Sequence, residues 1–272
     1  MADDGRDGTR GDTIADKIDN TVPHSARVWN YLLGGKDNYE PDRQIGDHIS
    51  RTWPGLALVA RTSRHMLARA VRHLAADAGV RQFLDVGTGL PTVDNTHEVA
   101  QSVAPDARVV YVDNDPLVLV HAQALLTSTP EGATAYVDAD LGDADTILAE
   151  AAEVLDMEQP VALILMGIIG HVADYDEARA MVRRLLDGLP SGSYLLYYDG
   201  TATSEAMLTA QEEYNRSGAV PYYVRTPEQI AGFFEGLDLV EPGVVPVTAW
   251  RPDPEPEPPA TVDAYGGLAR KP

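Results

Sequence analysis

Apolar residues follow two different rhythms along the chain. Between 56 and 78, Leu56, Val59, Ala60, Met66, Leu67, Ala70, Val71 and Leu74 recur close to helical spacing. Shorter segments at about 24–34 and 40–50 read the same way, so three helices precede residue 80. From residue 81 the rhythm changes to short runs of Val, Ile, Leu and Tyr separated by amphipathic stretches. Strands are predicted near 81–86, 108–113, 133–138, 161–166 and 193–198, with helices over 95–103, 116–126, 143–156, 174–188 and 204–216. Such alternation builds a parallel sheet covered on both faces. After Pro221 the order changes again: a helix at 227–235 precedes strands at 237–241 and 244–250, separated only by Pro242-Gly243. A connection that short makes an antiparallel hairpin. The expected fold is therefore α/β and Rossmann-like: a mostly parallel seven-stranded sheet with an antiparallel edge hairpin, plus an amino-terminal helical cap.

The punctuation sets the expected domains. Residues 1–12 are polar and Gly/Asp-rich, with a composition that favours disorder. The cap takes 13–80 and the cofactor-binding core 81–250. From Arg251 to Pro259 proline alternates with charge, which neither helix nor central strand tolerates, so 251–272 reads as a flexible Pro/acid-rich tail.

Composition narrows the chemistry. The 272 residues suffice for one substantial core, and the absence of cysteine removes disulfides and thiolate metal ligands. A net charge of −21 argues against nucleic acid, whose binding needs a basic face. No apolar run approaches the length of a membrane span and no apolar signal core opens the chain, so no membrane partner and a cytoplasmic location are expected. Lysine occurs only at 17, 36 and 271, which draws attention to Lys36.

The most informative stretch is Phe83-Leu84-Asp85-Val86-Gly87-Thr88-Gly89, followed by a second strand ending at Asp113-Asn114-Asp115-Pro116. An apolar strand, an acid, a glycine turn and a second strand-end acid, in that order, suit a nucleoside cofactor lying across the carboxyl ends of parallel strands. A dinucleotide fingerprint wants a third glycine, but Thr92 stands there and Pro91 delays the helix, which starts at Asn95 with Glu98 in capping-box spacing. S-adenosylmethionine has no pyrophosphate and needs only glycines that let backbone approach its amino-acid end. Gly87, Thr88 and Gly89 supply that turn, Asp85 faces the ammonium and Asp113 the ribose, with Asn114 beside it. After the third strand Asp140 is placed for the adenine amino group and Leu141 for the ring face, while Asp143 caps the next helix. Met166 and Gly167, at the end of the fourth strand, border the sulfonium. The antiparallel closing edge is also the methyltransferase arrangement rather than the dehydrogenase one.

The cap carries the densest motif, Pro23-His24-Ser25-Ala26-Arg27-Val28-Trp29-Asn30-Tyr31-Leu32-Leu33-Gly34-Gly35-Lys36-Asp37-Asn38-Tyr39. Its Gly-Gly turn reads as a lid, with Tyr31 and Lys36 reaching the cofactor. Together with the glycine turn through Thr92 and Tyr111-Val112-Asp113-Asn114-Asp115-Pro116, this segment resembles a family of S-adenosyl methyltransferases, formerly a domain of unknown function, over about 20–250. The resemblance implies a class I methyltransferase fold and cofactor binding through the glycine turn and Asp113. It implies no acceptor.

A base assists methyl transfer when the acceptor is a hydroxyl, phenol or protonated amine. His171 and Tyr39 are the candidates carried forward, with His24 and Asp199 behind them, and Tyr197, Tyr198, Tyr222 and Tyr223 as possible pocket aromatics. The fourth strand lacks the Asn/Asp-Pro-Pro-aromatic ending of enzymes that methylate amino nitrogens of bases or glutamine. The expected function is S-adenosylmethionine-dependent methyl transfer, giving S-adenosylhomocysteine, to a small-molecule acceptor. A non-catalytic cofactor-binding module and a nicotinamide oxidoreductase are the alternatives.

Overall fold

The computed structural model describes residues 18–125, 127–254 and 260–272. The segment 1–12, expected to be disordered, lies outside them. Three helices come first: α1 (Ser25–Leu32), α2 (Glu40–Thr52) and α3 (Leu56–Ala76). Strand and helix then alternate through β1 (Gln82–Val86), α4 (Thr96–Val103), β2 (Arg108–Asp113), α5 (Pro116–Leu125), β3 (Ala133–Asp138), α6 (Ala144–Ala151), β4 (Ala162–Met166), α7 (Tyr175–Asp187), β5 (Tyr194–Gly200) and α8 (Glu205–Asn215). A short 3-10 turn at Ile169–His171 interrupts this after β4. The chain closes with α9 (Pro227–Gly232), β6 (Asp238–Leu239), β7 (Val245–Pro246) and β8 (Ala264–Arg270).

Strand order is β3-β2-β1-β4-β5-β8-β6, with β7 also paired to β8. The first five strands are parallel, and β1, β4 and β5 are buried along nearly their whole length. One core lies between the sheet and α1–α4 with α8, around Met66, Val71, Leu74, Phe83 and Trp250. The other lies under α6, α7 and α9, around Ile147, Leu163, Leu165, Val182 and Ile230. The order in which strands are added to the sheet reverses between the parallel neighbours β1 and β4, which opens a crevice at their carboxyl ends.

The antiparallel edge is built differently from the expectation. The strands at 238–239 and 245–246 do not pair with each other; both pair with β8, which comes from the segment expected to be a flexible tail. β8 runs antiparallel to β5 over seven residue pairs, from Tyr194↔Arg270 to Gly200↔Ala264. The core therefore extends to Arg270 rather than ending at 250. The reason is close packing: a Cβ on Gly266 would fall 2.5 Å from the Tyr198 Cβ, so the small residues that look like linker composition are what lets β8 lie against β5.

Candidate active site

A cavity of about 400 Å3 opens at the β1–β4 reversal. At one end its wall is the glycine turn. Gly87 has φ +71°, and a Cβ there would meet the Ile168 side chain at 2.5 Å, so glycine is demanded twice over. Gly89 has φ +67° with nothing within 4 Å of its would-be Cβ, leaving room for a ligand against the backbone. The Asp113 carboxylate holds the turn in shape, accepting from the Gly89 amide at 2.8 Å and the Asp115 amide at 2.9 Å. Burial raises its pKa against the pull of those two amides. Each oxygen keeps a further acceptor site toward the cavity.

Asp85, 4% exposed, accepts from the Thr96 hydroxyl at 2.6 Å. Burial raises its pKa to about 6, opposed by that hydrogen bond and by Arg64. Asn114 donates to Asp140 at 3.1 Å, linking the ends of β2 and β3, and the Gly142 amide donates to the other Asp140 oxygen at 2.8 Å. Asp85, Gly87, Thr88, Gly89, Asp113, Asn114, Asp140, Leu141, Met166, Gly167, His24 and His171 all line the one cavity. The Asn95–Glu98 capping box forms as the spacing predicts.

Arg64 on α3 also lines this end and was not anticipated. Its Nη2 donates to the carbonyls of Val93 and Asp94, while its Nε is buried without a hydrogen-bond partner. Leaving such a donor unmet costs about 1–3 kcal/mol or more for a charged group. One arginine in an amphipathic helix carries no local signal of this.

At the far end of β4, the His171 Nδ1 lies 2.9 Å from the Pro221 carbonyl. A carbonyl only accepts, so Nδ1 carries the proton and Nε2 keeps a free lone pair. Burial lowers the pKa of the ring, which favours the neutral form. Tyr222 meets the ring edge-on at 5.3 Å. Asp199 does not open to the cavity: it is fully buried, accepting from Tyr222 and Tyr197, with its pKa raised to about 6 by burial. Of the four tyrosines considered, Tyr198 and Tyr222 line the cavity and Tyr197 and Tyr223 do not.

Three cap residues turn away from the cavity. Tyr31 donates to Asp47 at 2.6 Å and packs on Gly46, because its position on α1 faces α2. Lys36 is exposed in a turn wrapped around Asn30, whose oxygen accepts from the Asp37 amide and the Asn38 side chain. Tyr39 starts α2 and lies under the Arg27 guanidinium, 5.4 Å from ring centre, beside Leu90 and Leu117. The cap covers the cavity with other side chains: Val28, Trp29, Leu32 and Leu33 of the α1 region. It is joined to the loop that follows β2 by His24 Nδ1, 3.0 Å from Asp115 Oδ2, and by Arg27 Nε, 3.7 Å from the same oxygen. Burial acts to raise the Asp115 pKa, but His24, the Leu117 amide and Arg27 outweigh it and hold the carboxyl low.

The family model for S-adenosyl methyltransferases matches residues 11–272. The chain belongs to the S-adenosyl methyltransferase family. It is 49% identical to a DUF574 family protein from Streptomyces avermitilis, covering 93% of this chain and 99% of that one at a TM-score of 0.89. It is 43% identical to a candidate methyltransferase from Thermobifida fusca, covering 92% and 95% at a TM-score of 0.85. An N-methyltransferase from Bradyrhizobium japonicum, solved with S-adenosyl-L-homocysteine, shares the fold at 13% identity and a TM-score of 0.50, covering 90% of this chain and 99% of that one. No curated protein matches the chain in sequence. This methyltransferase takes S-adenosylmethionine as its methyl donor. Its cavity suits that molecule: the carboxylates of Asp85, Asp113 and Asp140 and the Arg64 side chain line it, and Gly89 leaves open space against the backbone.

Proposed function

We propose that the methyltransferase acts on a small-molecule hydroxyl, with His171 as general base. The observation that carries this is the His171 tautomer: Nδ1–H is spent on the Pro221 carbonyl, so the neutral ring keeps its lone pair on Nε2, and His171 lines the cavity. When bound, S-adenosylmethionine supplies an electrophilic methyl carbon on its sulfonium. In this reading Gly87, Thr88 and Gly89 carry the amino-acid end, with Asp85 toward its ammonium and the Arg64 side chain toward its carboxylate. Asp113 and Asn114 take the ribose hydroxyls, and Asp140 and Leu141 the adenine amino group and face. Met166 and Gly167 border the sulfonium. The chain's main task is then orientation, holding the acceptor oxygen in line with the methyl carbon. His171 Nε2 accepts the acceptor proton as the new bond forms.

The test is incubation with methyl-labelled S-adenosylmethionine and a metabolite extract, followed by mass spectrometry. The expected result is label on a low-mass O-methylated product, lost in His171→Gln. Label found only on protein or nucleic acid would overturn the small-molecule reading.

A further inference from the structure

The cavity is longer than its cofactor end. Past Met166 it continues between the cap helices and α8, where Trp29, Trp53, Leu56, Met207 and Tyr214 form the wall. Trp53, Leu56 and Met207 belong to the buried core on that face of the sheet. A core of this composition ordinarily closes on itself, so an apolar cavity within it is space kept for a ligand.

Charge is distributed unevenly along that space. Of the side chains that α1, α2, α3 and α8 bring to the wall, Arg64 alone is charged, and it sits at the glycine-turn end beside Asp85; His24, just ahead of α1, also lines the cavity but faces the Asp115 carboxylate at 3.0 Å. Asp42 is buried nearby but does not reach the wall, and its two oxygens accept from the amides of His24 and Tyr39. A carboxylate or phosphate entering this lobe would lose its hydration with no cation to meet it. An ammonium would find no carboxylate.

One side chain of the lobe's wall carries a polar atom without a partner. The Tyr214 hydroxyl is buried and makes no hydrogen bond. Burial raises its pKa, so it stays protonated and keeps both a donor and an acceptor to offer. From the methyl-transfer reading, on which this step rests, we infer that the acceptor is an uncharged, largely apolar ring compound. It carries one hydroxyl toward His171 and a second hydrogen-bonding group met by Tyr214.

Calorimetry tests this with 2-naphthol, naphthalene-2,7-diol and 7-hydroxy-2-naphthoate, titrated into protein with and without S-adenosylhomocysteine. Both neutral compounds should bind, the diol about fivefold tighter than the mono-ol for its extra hydrogen bond. The carboxylate should bind at least about tenfold more weakly than 2-naphthol. Tyr214→Phe removes only an unpaired hydroxyl, so it should bind S-adenosylhomocysteine like the parent and lose the preference for the diol. If that variant is not recovered, the parent's three affinities carry the test alone. Carboxylate binding as tight as the diol, no binding of either neutral compound, or an unchanged diol preference in Tyr214→Phe would overturn the inference. Failure of S-adenosylhomocysteine itself to bind would count against the cofactor assignments instead, and the titrations without it would still report on the lobe.

Discussion

At the glycine-turn end of the cavity, polar groups line the wall from strand ends and are themselves held by backbone: Asp113 by the amides of Gly89 and Asp115, Asp140 by Gly142. At the other end, side chains from the three consecutive cap helices and from the distant α8 leave an apolar lobe whose wall carries one unpartnered hydroxyl. The first end is rigid because short hydrogen bonds fix it before any ligand arrives, as preorganised recognition requires. The second takes its shape from how the cap packs against α8, which is a tertiary property. A conserved cofactor chemistry with an exchangeable acceptor asks for this division: a fixed polar cradle, and a lobe whose lining can change without disturbing the turn.

The sharpest way to break that comparison lies at the seam, at His171. If it is the base, His171→Gln should lower kcat by about 10²- to 10⁴-fold, the usual worth of general-base catalysis. Affinity for S-adenosylhomocysteine should stay at the parent value, because the cofactor cradle is held elsewhere. The pH profile gives an independent reading. Burial lowers the His171 pKa below its ordinary 6.5, and the base must be neutral to act. Activity in the parent should therefore be level through neutral pH and fall only on the acid side of 6.5. An acid limb centred above 6.5, or a variant with undiminished kcat, would remove His171 from the chemistry.

Asp113 probes the polar end alone. Asp113→Ala strips an acceptor from the ribose position and orphans the amides of Gly89 and Asp115. Two charge-assisted hydrogen bonds at about 1.5–3 kcal/mol each support an expected loss of at least about 100-fold in S-adenosylhomocysteine affinity. Binding of naphthalene-2,7-diol without cofactor should change less than about twofold if the two ends are separately built. Equal losses for both ligands would show one site rather than two.

The contrast also explains which parts of the molecule were legible in the sequence. Strand, acid and glycine turn are neighbours in the chain, so Asp85, Gly87, Gly89 and Asp113 could be placed at one crevice from spacing alone. The lobe could not: nothing in the sequence sets Trp53 and Met207 apart until folding leaves space between them. The cap motif misled for a related reason. Tyr31, Lys36 and Tyr39 are chemically conspicuous, but the helix faces and the Asn30-centred turn direct them to Asp47, solvent and Arg27. His24 and Arg27, in the same motif, are the ones that touch the loop that follows β2. β8 was hidden because the alternation of proline and charge from Arg251 to Pro259 reads as the end of the domain, and the strand character of Ala264–Arg270 depends on a partner about 70 residues earlier.

The smallest expected effect falls where the two ends are joined. Asp115 accepts from the Leu117 amide with one oxygen and faces His24 and Arg27 with the other, while its own amide donates to Asp113. Asp115→Asn keeps an oxygen for Leu117 but removes the charge that holds the cap helix to the loop that follows β2. We expect severalfold weaker binding of both S-adenosylhomocysteine and the naphthalene diol, and a stability loss of about 1–2 kcal/mol by chemical denaturation. The pH dependence has a definite sign. The folded-state pKa of Asp115 is lowered from 3.8, so its contribution is fully present above 3.8 and is lost as pH falls through the lowered value. The stability gap between parent and Asp115→Asn should therefore narrow in acid. A variant that weakens only one ligand would show that the cap is docked independently of the loop, and that the two ends of the cavity communicate through the sheet instead.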